Sequence, residues 1–155
     1  MITAEQIDFV FDYLDNNESS QEKILGEFAE SQPHLSAWLW GESFDILTEE
    51  EQDYLYFLSL VVWLAIKKFR HEPEEVDGET IREAEEKNWA IFEEAGNVPL
   101  EAKTGLLFQQ TAEEDLLAFA EDSLSEDPED TEKIVTKIGR EPMTIALKTV
   151  IDVLT

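Results

Sequence analysis

Carboxylates are the side chains with the most chemistry to offer in this sequence. Glu49, Glu50 and Asp53 fall within five consecutive residues, and Glu74 and Asp77 follow three residues apart. Carboxylate oxygens so spaced are the ligand type Mg²⁺ takes, a few per ion, with a substrate's phosphates completing the shell. Asp8, Asp12 and Asp15 form a second set, at i, i+4 and i+7 on one helical face. That face lies opposite Ile7, Val10, Phe11 and Leu14, so the three acids also serve simply as its solvated side. Other chemistries lack their parts. There is no cysteine, so disulfides and thiolate catalysis are excluded. His34 and His71 are the only histidines, too few for a multi-histidine metal centre, and neither has a glutamate three residues before it, as a di-iron bundle needs. Asp15, Asn17 and Ser19 start an EF-hand spacing, but Ser20 stands where the turn glycine belongs and Gly26 where the bidentate glutamate belongs. No Gly-x-Ser-x-Gly elbow and no glycine-rich phosphate loop is present.

The set Glu49-Glu50-x-x-Asp53 with Glu74-x-x-Asp77 resembles the EExxE…ExxD magnesium motif of the all-α nucleotide pyrophosphohydrolases. The resemblance covers these positions alone, and it implies a Mg²⁺-dependent hydrolase with the five carboxylates as metal ligands. Asp53 departs from the family's glutamate, and the second pair falls in a loop between Pro73 and Gly78. Acids at Glu49, Glu50 and Glu51 are also what the positive end of a helix dipole favours in a first turn. The stronger expectation is a non-catalytic chain without a cofactor.

Charge points to a different function class. The chain has 155 residues, 37 acidic and 11 basic, for a net charge of −26. Such a balance argues against direct nucleic-acid binding, which needs a basic footprint. From Thr104 to Glu132 there are ten acids and no base, with Leu116, Leu117, Phe119 and Leu124 at helical spacing among them. Glu113, Glu114, Asp115, Glu121, Asp122, Glu126 and Asp127 are therefore the expected docking surface for a basic protein partner. In charge alone, such a surface resembles immunity proteins and nucleic-acid mimics. The competing reading is general solubility or salt adaptation, since residues 1–66 and 67–155 each net −13. The basic side chains gather only at Lys67, Lys68 and Arg70, either as a small anion site or as cations at the negative end of a helix.

These groups must be carried by helices. Hydrophobic residues make up 43% of the chain, enough for a packed core despite the charge. Their spacing is near 3.6, as in Ile7, Val10, Phe11, Leu14, and no run alternates long enough for a strand. Capping-box patterns occur at Thr3/Gln6, Ser19/Glu22, Thr48/Glu51 and Thr111/Glu114. Pro33, Pro128 and Pro142 suit first turns, and Gly41, Gly96 and Gly139 suit helix ends. The expected elements are helices at 4–15, 20–31, 33–40, 49–70, 79–95, 112–124, 128–138 and 142–154. Pro99 could open a further helix in 97–110 that Gly105 weakens. Residues 71–78 are the expected mobile loop. Phe9 and Tyr13 are expected as core contacts on the flank of the first helix, and Trp38 and Trp40 as an edge of the core. The fold class is all-α: one domain over 1–155, a compact bundle of about seven to eight helices around a central apolar helix at 49–70. Its apolar run Tyr54 to Ile66 spans about 20 Å, short of the roughly 30 Å of a bilayer core. With no leader pattern at Met1–Gln6 and no cysteine, the expected setting is cytoplasmic, away from membranes.

Overall fold

The computed structural model describes residues 1–125 and 134–155. Among them the chain forms eight α-helices and no strand: α1 (Ala4–Asp15), α2 (Glu18–Ser31), α3 (Pro33–Leu39), α4 (Glu49–Phe69), α5 (Gly78–Ala95), α6 (Leu100–Phe108), α7 (Glu114–Leu124) and α8 (Lys137–Leu154), with a single 3₁₀ turn at Glu42–Phe44. Two of the expected capping boxes close in full, at Thr3/Gln6 and Thr48/Glu51. Asp77 caps α5 through the Thr80 amide, and Gly96 ends that helix at a φ of 73°, a conformation that favours glycine. Pro99 does open α6, which runs through Gly105.

Helix α4 is central, as its apolar run requires. Leu55, Leu58, Leu60, Val61, Val62, Trp63, Ala65 and Ile66 are all fully buried. It packs on α1, α2, α3 and α8. Helix α8 is a second axis of the bundle. Every residue from Met143 to Ile151 is buried, and α8 packs on α4, α5, α6 and α7. A helix buried on all sides must be wrapped by others, and here two such helices lie against each other.

Several expectations are corrected. The last helix is not split at Gly139 and does not begin at Pro142: both residues lie inside α8. Of the expected helix 128–138, residues 128–133 lie outside the described residues, 134–136 are not helical, and 137–138 begin α8. Thr136 caps α8, its hydroxyl accepting from the Gly139 amide. Glycine is needed at 139 because the buried Glu51 carboxylate occupies the space a methyl group would take. Glu51 Oε1 accepts from the Thr48 amide at 2.9 Å, and Oε2 accepts from the Thr136 amide and hydroxyl, each at 3.0 Å. One carboxylate thus joins the positive ends of α4 and α8.

The Ser19/Glu22 and Thr111/Glu114 boxes do not form. Helix α2 already starts at Glu18, and Glu113 takes the cap position of α7 without a side-chain cap bond. The loop at 71–78 is tied down rather than loose. The fully buried Gln32 amide donates to the Glu74 carbonyl at 2.7 Å and accepts from the Val76 amide at 3.1 Å, with Pro73 and Val76 buried. Across α5 and α8, Lys148 is buried and bonds both Asp152 oxygens at 2.5 and 2.6 Å, while Asn88 donates to Thr149 and Asp152.

Candidate docking site

Helices α1 and α7 pack together, and neither contains a basic residue. Asp115 and Asp122 are seven residues apart on α7 and share one of its faces. With Asp8 of α1 they line a groove of about 300 Å³, together with Ile7, Ala118 and Phe119. Phe119 is half-buried and meets Phe11 edge-on at 6.1 Å, so the groove has an aromatic wall fixed by the core. Asp115 Oδ2 accepts from the Ala4 amide at 3.2 Å, which places its carboxylate against the first turn of α1. Tyr54 of α4 donates to the Ser123 carbonyl at 3.1 Å and ties α7 to the centre of the bundle; burial pushes its phenol pKa up.

The expected surface residues divide by environment. Glu114 and Asp122 are exposed, and Asp115 and Glu121 are half-buried. Glu113 is only 2% exposed and is no part of an open surface. Its Oε2 accepts from the Ile2 amide at 2.9 Å, and its Oε1 accepts from Arg70. It is a buried partner for the end of α4 and the start of α1. Arg70 is thereby removed from the expected basic cluster. Glu126 and Asp127 lie outside the described residues. Asp8, which in the sequence stands with Asp12 and Asp15, belongs to this groove because α1 packs on α7.

The five carboxylates of the hydrolase resemblance are not brought into one site. Glu49, Glu50 and Asp53 are exposed in the first turns of α4. Glu74 and Asp77 line a separate groove with His71, Thr80 and the C-terminal residues Val153–Thr155. Among the described residues there is no group of three or more His, Asp or Glu side chains placed to hold a metal ion, and Asp8, Asp12 and Asp15 form none either. Trp38 edges the core as expected and meets Phe44 at 5.0 Å, whereas Trp40 is 46% exposed and only stacks on Tyr56 at 5.2 Å. Phe9 and Tyr13 are not core contacts; they are 53% and 42% exposed.

Two carboxyls set a pH signature for the fold. Burial pushes the Glu85 carboxyl pKa above its ordinary 4.5, so the folded state binds this proton more tightly than the unfolded chain. The Thr80 amide and hydroxyl hold Asp77 below its ordinary 3.8, so its cap stabilises only above that pH. Thermal stability is therefore expected to rise as pH falls from neutral toward 4.5, and to decline below 3.8 as Asp77 loses its charge in the unfolded chain first. Added salt should raise the melting temperature at neutral pH, by screening self-repulsion of a chain of charge −26. Melting curves across pH and salt check both signs.

Comparison with protein-family models, with curated proteins and with solved structures finds no match to this chain. No helix among the described residues is long and apolar enough to cross a membrane.

Proposed function

We propose that this chain is a non-catalytic binding protein that docks a basic protein partner on the α1/α7 face. The observation that supports this reading best is the groove lined by Asp8, Asp115 and Asp122 together with Phe119, on two helices without a base. A lysine or arginine entering it would set its charged head among carboxylates and its aliphatic stem along Phe119 and Ala118. The exposed Glu114 and the half-buried Glu121 extend the same field along α7. Steering by such a field raises association rates and disfavours nucleic acid as a direct ligand. A cytoplasmic setting belongs to the same proposal and draws on the absence of cysteine.

The test compares two neutralised variants with an arginine-rich peptide as the probe. The first carries Asp8→Asn, Glu114→Gln, Asp115→Asn, Glu121→Gln and Asp122→Asn; Glu113 is kept because it is buried with Arg70. The second neutralises five exposed acids elsewhere, Glu42, Asp45, Glu49, Glu50 and Asp53. The first is expected to slow association by about tenfold and flatten its salt dependence, with a much smaller effect from the second. Equal slowing in both would leave only the attraction of the net charge and favour the solubility reading.

A further inference from the structure

One groove on this acidic protein carries the opposite sign. Helices α1, α2 and the end of α4 line an open groove of about 440 Å³, within the roughly 300–1,000 Å³ range of small-molecule sites. Lys23, Lys67 and Lys68 line it, against a single acid, Glu27. Its apolar lining includes the exposed rings of Phe9 and Tyr13.

Helix-dipole placement accounts for Lys67 and Lys68 at the end of α4. It does not account for Lys23, which comes from the middle of α2, or for two aromatic rings left in solvent beside it. The lysines are also notable for what they do not touch. Acids outnumber bases 37 to 11, yet Lys23 and Lys68 have no carboxylate within 4.0 Å among the described residues. Lys67 reaches Glu72 only at 3.8 Å, and its ammonium sits 4.9 Å from the Trp63 ring centre. Lys68 lies 4.9 Å from the Phe9 ring centre and 5.9 Å from that of Phe69, and these two rings meet edge-on at 6.2 Å. The Lys67 and Lys68 ammonium groups thus lie over aromatic faces, and Lys23 is exposed, which leaves hydrogen-bond donors of all three for another acceptor.

We propose that this groove binds a small organic anion with an aromatic body, the acid group (carboxylate, sulfonate or phosphate) on Lys23 and Lys68 and the ring against Phe9 and Tyr13. The site is distinct from the α1/α7 groove in residues and in sign, and it stands or falls independently of the docking reading.

The probe is 8-anilinonaphthalene-1-sulfonate, with the uncharged N-phenyl-1-naphthylamine as its counterpart, read by fluorescence titration on the folded full chain. The anionic dye is expected to bind at one site and the neutral dye at least about tenfold more weakly. Lys23→Gln with Lys68→Gln should weaken the anionic dye about tenfold or more, the loss expected for a charge-assisted contact. Phe9→Ala should also weaken it, while Lys68→Arg, which keeps the charge, should retain it. Asp8→Asn with Asp122→Asn should leave it unchanged. Equal binding of the two dyes, no binding of the anionic one, or binding indifferent to the lysine changes would each overturn the proposal. Far-UV circular dichroism of each variant excludes loss of fold as the cause.

Discussion

Gly139→Ala is expected to lower the stability of the fold by about 3 kcal/mol, although glycine-to-alanine changes inside helices ordinarily stabilise by up to about 1 kcal/mol. The reversal comes from Glu51. Its carboxylate is 1% exposed, lies where the new methyl group would go, and holds the Thr48 and Thr136 amides together. Alanine must either displace the carboxylate from both helix starts or push α8 away from α4. The first loses buried hydrogen bonds to a charged group, and the second opens the core along the contact of the two central helices. A double-mutant cycle in urea isolates the cause. In a Glu51→Ala background the obstructing group is gone, so Gly139→Ala should become neutral or stabilising there. An equally large cost in both backgrounds would place the obstruction elsewhere.

Trp63→Ala should cost about 3–5 kcal/mol, the range for deleting a large buried aromatic. Trp63 is fully buried in the middle of α4, meets Phe28 edge-on at 5.4 Å, and carries the Lys67 ammonium over its face. Truncation removes the transfer energy of the indole and leaves a cavity that the surrounding packed helices cannot fully close. Trp63→Phe should cost less than half as much, because the ring contact survives and the lost N–H has no partner in the fold. Urea midpoints with unchanged slopes would confirm that the native state alone is affected. A change near zero for Trp63→Ala would contradict the central position of α4.

What the sequence revealed depended on whether the signal was local. The apolar run Tyr54 to Ile66 and the Thr48/Glu51 box lie within a few turns of one another, and α4 follows from them. Helix α8 is continuous where a break is expected, because the local break signals of Gly139 and Pro142 are overruled by tertiary packing. Gly139 is required by a side chain 88 positions away, and Pro142 forgoes one ladder bond to Ile138, which is 69% exposed. The Thr111/Glu114 box failed for a similar reason: contacts to Ile2 and Arg70 hold Glu113 as the cap. At the candidate site, composition showed the acids but not their burial. Glu114, Asp115, Glu121 and Asp122 were found by charge density, whereas Asp8 joined them only through the α1/α7 contact. Lys23 and Lys67 stand 44 residues apart, and no spacing rule connects them.

The docking account is tested most directly by backbone amide shifts of the isotopically labelled chain during titration with an arginine-rich peptide at physiological salt. A partner surface on α1 and α7 predicts saturable shifts concentrated at Asp8, Asp115, Ala118, Phe119 and Asp122, with little change at Glu42, Glu49, Glu50 and Asp53. Shifts spread evenly over the exposed acids, without saturation, would contradict it.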